Sequence, residues 1–288
     1  MSSQLDVAAE IIQARVGLEP LQVAIILNAG LAESIEGLQN EIVIPYSDLP
    51  GFPKAQAFGQ ENRLIIGELE GVRIACLKGC SHFFESGDAV GMAVPLEIMT
   101  LLGVQTLLIT ATCGSVDADL YPGALAVVVD HINLTGVNPL FGGSNEGGTI
   151  SLTKAYDERL ALRMKRAALS GGLSLRDGVF MLFSGPSFET PAEIRMARTL
   201  GANMVGMSGV HEVILARRLG MRVCFVAATT YFGAGFNKSD PTSIETRVVA
   251  RQATISLKRL IRSFLRTKEG SNYAAEDKPS ILRKQLFT

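Results

Sequence analysis

Residues 179–193 read Val-Phe-Met-Leu-Phe-Ser-Gly-Pro-Ser-Phe-Glu-Thr-Pro-Ala-Glu. The opening run is apolar and does not alternate, the pattern of a strand covered on both faces. Ser184, Gly185 and Pro186 break it. Thr190, Pro191 and Glu193 then open a helix, with a capping hydroxyl, a proline at the first helical position and a glutamate at the third. The stretch is a buried strand that passes through a short polar turn into a capped helix. On local pattern alone Glu189 is either a carboxylate facing a cleft, with Phe188 as a face beside it, or a surface residue of a capping turn.

The same alternation recurs on either side. Val23–Leu27, VAIIL, is a short apolar run that ends at Asn28-Ala29-Gly30, a strand entering a tight turn. Further strands are expected at 64–69, 72–78, 106–112, 125–134, 179–185, 203–207 and 222–230. Helices are expected at 4–16, 88–102, 155–171, 190–200, 209–219 and 243–266, the first from the helical spacing of Leu5, Ala8, Ala9, Ile12 and Val16. Strands and helices in alternation predict the α/β class: a single domain over 1–266 with a mixed central sheet surrounded by helices. Residues 141–150, FGGSNEGGTI, read as a flexible loop, and the polar stretch 267–288 as a mobile tail.

Composition excludes several classes. The chain has 288 residues, 47% of them apolar, and a formal net charge of -1, so no basic surface calls for nucleic acid or an anionic membrane. The first residues hold no secretory signal and no segment has the length and apolarity of a membrane span, which makes the cytoplasm the expected compartment. Cys76, Cys80, Cys113 and Cys224 form no CxxC pair, and no histidine cluster has zinc spacing. Cys76 and Cys224 lie in apolar runs and read as buried thiols.

Gly185-Pro186-Ser187-Phe188-Glu189-Thr190, followed by AEIR, LGANMVGMS and HEVILAR, resembles the trimeric, inosine/guanosine-type purine nucleoside phosphorylase family. Leu49-Pro50-Gly51-Phe52-Pro53, the Gly79, His82 and Glu85 region, Asp130–Leu134 with Asn138-Pro139-Leu140, and Ala155-Tyr156-Asp157 carry the likeness across about residues 21–265. The resemblance implies reversible cleavage of the N-glycosidic bond of purine (deoxy)nucleosides by inorganic phosphate, giving free purine and (deoxy)ribose 1-phosphate, with no metal or other cofactor. It implies a homotrimer, in which Phe141 is the candidate aromatic lent to a neighbour's sugar pocket. It assigns Glu189 and Phe188 to the base, and Met207 and Phe84 to the sugar. Tyr231 falls at the position of an asparagine near the purine, and Glu245 at that of a histidine near the ribose 5′-hydroxyl. Ser208, His82 and the backbone N–H of Thr112 are assigned to phosphate, with Glu189 and His82 as the catalytic pair. Met207 has an ordinary core reading and Ser208 an ordinary N-cap reading, while His131 and His211 read as structural.

The chain departs from the family where phosphate would bind. The family's Gly-Ser-Gly-Leu-Gly loop is here Asn28-Ala29-Gly30-Leu31-Ala32, its arginine two residues before His82 is Cys80, the glycine closing that motif is Ser86, and a loop histidine is Gln60. A thiol cannot replace a bidentate guanidinium, and loss of such a charge-assisted contact weakens anion binding by about one or two orders of magnitude. Arg63 and Lys78 are the candidates to supply charge instead. A phosphate-independent, hydrolase-like enzyme and a nucleoside-binding partner protein are the two other readings. Cys80 beside His82 reads either as a reactive thiol or as an inert small residue in the place of an arginine.

Overall fold

The computed structural model describes residues 4–28, 30–56, 59–141, 149–236 and 243–267. Ala29, most of the expected loop at 141–150 and nearly all of the tail at 267–288 lie outside the described residues.

After helix α1 (Gln4–Val16), strand β1 (Val23–Leu27) runs through the centre of the sheet. Its side chains show why the run does not alternate. Ala24 and Ile26 enter one apolar cluster, Val23, Ile25 and Leu27 the other, and all are buried. Strands β2 (Gln39–Pro45), β3 (Arg63–Leu69) and β4 (Val72–Lys78) form a meander on one side, with β4 parallel to β1. The short helix α2 (Phe83–Ser86) and α3 (Ala93–Leu101) lead to β5 (Thr106–Ser115), parallel to β1 on its other side. The chain continues with β6 (Leu125–Asn133), α4 (Glu158–Ser170), β7 (Leu175–Leu182), α5 (Pro191–Thr199), β8 (Met204–Gly206), α6 (Val210–Arg218), β9 (Arg222–Phe232) and α7 (Ser243–Arg266).

The described strands make one sheet in the order β2-β3-β4-β1-β5-β8-β7-β6-β9, and β9 also pairs with β5. That last pairing closes β5, β8, β7, β6 and β9 into a ring, from which β1 to β4 extend as an open wing. Helices cover both faces: α1, α3 and α6 contribute to one core cluster, α4 and α7 to the other. No helix among the described residues is long and apolar enough to cross a membrane.

The expected mixed-sheet α/β architecture is the observed one, and several boundaries move. β2 was not expected: its sequence QNEIVIP is mostly exposed, the signature of an edge strand rather than a core run. The helix expected over 88–102 is confined to Ala93–Leu101, because a turn anchored by Asp88 Oδ1 on the N–H of Val90 precedes it. The one expected over 155–171 starts at Glu158, where Asp157 caps it by accepting from the N–H groups of Arg159 and Leu160. The strand at 179–185 instead spans Leu175–Leu182, since register with β6 outweighs the polarity of Arg176 and Asp177. The capping box at α5 forms as its spelling requires: Thr190 Oγ1 accepts from the N–H of Glu193 at 3.3 Å and Glu193 Oε2 accepts from the N–H of Thr190 at 2.7 Å.

Candidate active site

The residues singled out in the sequence follow or belong to strands of the sheet. Phe188 and Glu189 stand between β7 and α5, Met207 and Ser208 between β8 and α6, His82 and Phe84 after β4, and Asn28 after β1; Thr112 and Tyr231 belong to β5 and β9. Glycines allow the close approach. A methyl group built on Gly185, itself at φ +65°, would lie 2.6 Å from Met207 Sδ and 3.0 Å from Phe84 Cβ. One built on Gly114 would lie 2.4 Å from the Tyr231 ring. Gly185, Phe84 and Met207 thus meet, and Tyr231 lies against the backbone of β5.

The group around Glu189 leaves one hydrogen-bond acceptor unmet. Its side chain is 4% exposed, Oε2 accepts a long hydrogen bond from the Tyr231 hydroxyl at 3.4 Å, and Oε1 is buried with no partner. The Phe188 ring stands edge to face with Tyr231, centroids 5.1 Å apart. Burial pushes the Glu189 carboxyl up, partly offset by hydrogen bonds from its own backbone and from Tyr231. The capping-turn reading is therefore incomplete: Glu193 closes the cap and Glu189 is left facing inward.

The second group is more nearly closed on itself. Gln60 Nε2 donates to the carbonyl of Cys80 at 3.1 Å, and its Oε1 accepts the Cys80 N–H at 3.2 Å. Those contacts fix the amide, so the 3.1 Å contact from Gln60 Nε2 makes His82 Nε2 an acceptor and leaves the ring proton on Nδ1. Nδ1 is buried without a partner. Burial holds the His82 ring below the usual histidine range against the opposing pull of Glu212 and Glu85, and it stacks on Phe84 at 5.1 Å. His82 is a neutral donor here, not a cation. The Cys80 thiol is fully buried and donates to Glu212 Oε1 at 3.0 Å, while Glu212 Oε2 accepts the N–H of Gly209 at 2.9 Å. Burial and Glu212 push that thiol far up, which removes the reactive reading of Cys80. Asn28 Nδ2 lies 3.4 Å from Ser208 Oγ, and Asn28 Oδ1 is buried without a partner.

Other expectations need correction or placement. Ser208 does not cap α6; Gly209 is the cap and Ser208 precedes it, where its hydroxyl is free to meet Asn28. Arg63 and Lys78 both turn to Glu61, which makes them poor substitutes for the missing arginine. Ser86 ends α2 and Gly87, at φ +74°, takes the left-handed position after it, so the glycine has moved by one residue. Thr112 pairs with Ala228, two residues beyond the last β1 partner, Thr110. Glu245 is exposed in the first turn of α7, the helix whose Ala250 packs on Gly30. Phe141 is exposed. His131 bonds Tyr156 through Nδ1 at 2.9 Å, and His211 stands 3.5 Å from Thr135 Oγ1 and edge-on to Phe83.

Sequence reasoning missed Glu212 and the side chain of Asn28. Glu212 sits inside a helix-forming run, and only its 3.0 Å approach to a thiol 132 residues away marks it.

Comparison with known proteins gives the family. The model of the phosphorylase superfamily matches residues 22–266. Purine nucleoside phosphorylase 1 of Geobacillus stearothermophilus is 34% identical over 265 residues, covering 91% of this chain and 96% of that one. Purine nucleoside phosphorylase of Mycobacterium tuberculosis is 36% identical over 229 residues, 79% and 82% of the two chains. The crystal structure of Schistosoma mansoni purine nucleoside phosphorylase in complex with inosine superposes with a TM-score of 0.84 at 28% identity, covering 93% and 97%. The chain belongs to the phosphorylase superfamily, as a member of the purine nucleoside phosphorylase family.

Proposed function

We propose that this protein is a pentosyltransferase that cleaves the N-glycosidic bond of purine nucleosides by phosphorolysis, releasing the purine and the sugar 1-phosphate. The observation that carries the reading is the buried Glu189 carboxylate with Oε1 unpartnered, beside Phe188 and Tyr231. Related proteins have been crystallised with hypoxanthine, guanosine and inosine, and another with ribose 1-phosphate.

In this reading Glu189 Oε1 accepts a ring N–H of the purine and fixes its orientation. The Tyr231 hydroxyl, held to Glu189 only at 3.4 Å, is the donor that turns toward the base as its electron density rises. Phe84 and Met207 pack on the sugar, which supports in-line approach of the nucleophile. Phosphate oxygen bonds to the anomeric carbon as the C–N bond breaks, and the bonding pair leaves with the purine nitrogen. Ser208, the Nδ1–H of His82 and the Thr112 N–H serve the anion. Glu245 is assigned to the sugar 5′ side. We read the working unit as a cytoplasmic homotrimer without nucleic-acid or membrane partners, with Phe141 reaching a neighbour's pocket.

Base release from inosine and guanosine, with and without phosphate, tests this. Phosphate-dependent release that falls by about 10²–10³ in Glu189→Ala is the expected result. Release independent of phosphate would turn the reading to hydrolysis, and no release under either condition to a binding role.

A further inference from the structure

Cys80, His82 and Glu212 come from the loop after β4 and from α6, and the sequence gives no hint that they meet. A ring nitrogen of His82, Cys80 Sγ and a Glu212 carboxylate oxygen all lie within 4.8 Å of one another, and all three residues are buried. Thiol, imidazole and carboxylate are together a donor set for zinc, whose protein sites use these atoms in fours or, with an open position, in threes. The carboxylate is already oriented, since Gly209 holds Oε2 and leaves Oε1 on the thiol side. His82 Nδ1 has no partner although the side chain is 96% buried, from a relative exposure of 4%.

We propose that Cys80, His82 and Glu212 form a binding site for a zinc-like divalent cation, with a fourth position open toward the phosphate of the reaction. The second half rests on the function proposed above. The chain lacks the family's arginine at Cys80, and the candidate substitutes, Arg63 and Lys78, are turned to Glu61. A dication between one thiolate and one carboxylate gives this buried group a centre that an anion can bind.

The site closes by small movements. Zinc bonds of about 2.0–2.3 Å in a tetrahedron set ligand atoms roughly 3.5 Å apart, so the widest pair draws in by about 1 Å. Binding releases the thiol proton to solvent and leaves a metal-bound thiolate. Ligation through Nδ1 replaces the direct His82 N–H contact to the anion given above, so that in the loaded form the anion meets the metal instead. It also moves the ring proton to Nε2, where the Gln60 amide must turn its oxygen to accept it, giving up its two contacts to the Cys80 backbone. That requirement yields a specific variant: Gln60→Glu accepts the Nε2 proton without turning and tightens metal binding, by about 10-fold on the scale of such supporting contacts.

The experiment is titration of the reduced full chain with cobalt(II), followed by displacement with zinc. The expected result is a thiolate-to-cobalt charge-transfer band with tetrahedral visible bands, saturating near about one metal per chain and erased by zinc. The band is lost in Cys80→Ser and strengthens at limiting metal in Gln60→Glu. Absence of the band in the folded wild-type chain, or a band unchanged in Cys80→Ser, overturns the site. Phosphate saturation is then compared in zinc-loaded and chelator-treated enzyme, with a KM for phosphate about 10-fold lower in the loaded form as the supporting outcome. Equal KM values with the band present overturn the open-position half. A chain that shows the band and turns over no nucleoside in either form keeps the metal site and refutes the proposed reaction.

Discussion

The two halves of the proposed site are built from the same fold and differ in how far they satisfy themselves. Around Glu189 the buried Oε1 is left without a partner, and Oε2 accepts a long hydrogen bond from Tyr231. Around Cys80 the amide of Gln60, the thiol, the Glu212 carboxylate and a backbone N–H are joined into a hydrogen-bonded set. A half that waits for a ligand has unmet groups, because a buried polar atom without a partner costs about 1–3 kcal/mol until something binds it. Among the described residues the anion half keeps Asn28 Oδ1 and His82 Nδ1 in that condition, one acceptor and one donor, neither of them charged. In the proposed reading the base half is thus left with an unmet acceptor for its ligand, and the anion half has exchanged charge for internal hydrogen bonds.

The comparison is broken most directly by restoring what the anion half lacks. The combined change Asn28→Gly, Ala29→Ser and Cys80→Arg frees Ser208 from Asn28, returns a hydroxyl and sets a guanidinium beside Glu212. In metal-free buffer its KM for phosphate is expected to fall by about 10–100-fold against the parent chain, read from initial rates of base release. An unchanged KM would show that the substitutions at Asn28 and Cys80 are not what limits phosphate.

The next contrast concerns proton linkage, where the halves have opposite signs. Burial raises the Glu189 carboxyl above 4.5, so the folded state binds the proton more tightly than the unfolded one. That contribution to stability is present below the unfolded value and is lost as pH rises through the folded one. At neutral pH, Glu189→Gln removes the cost of a buried charge, and Tm is expected to rise by about 1–3 °C while turnover falls. His82 behaves the other way. Its folded value is held below 6.5 by burial, as are those of His131 and His211, so stability is full above 6.5 and is lost as pH falls below it. Urea midpoints for parent and Glu189→Gln between neutral and mildly acidic pH separate the two effects: the advantage of the variant narrows toward acid, while both chains weaken.

The smallest expected effect on stability belongs to Tyr231→Phe. The bond it removes is 3.4 Å long, and the ring keeps its place against Gly114 and Phe188. Stability is expected to drop by no more than about 1 kcal/mol in urea titration. A larger loss would mean that Tyr231 holds the base half closed, and the contrast between the halves would weaken.

The sequence by itself determined the α/β class, the buried central strands and the capped helix after Glu189. These rest on continuous apolar runs and on capping residues a few positions apart, which act locally. It also brought Phe188 and Glu189 forward as candidates, because they are neighbours in one motif that resembles a known family. The edge strand β2 escaped it, since an exposed strand has no core pattern to read. Only the tertiary structure decided that Glu189 faces inward, that β9 closes the ring onto β5, and that Glu212 meets Cys80. The physical reason is range: a cap or an apolar run is written in consecutive residues, whereas a thiol and a carboxylate 132 positions apart become partners only when two strands and a helix pack and take both out of water.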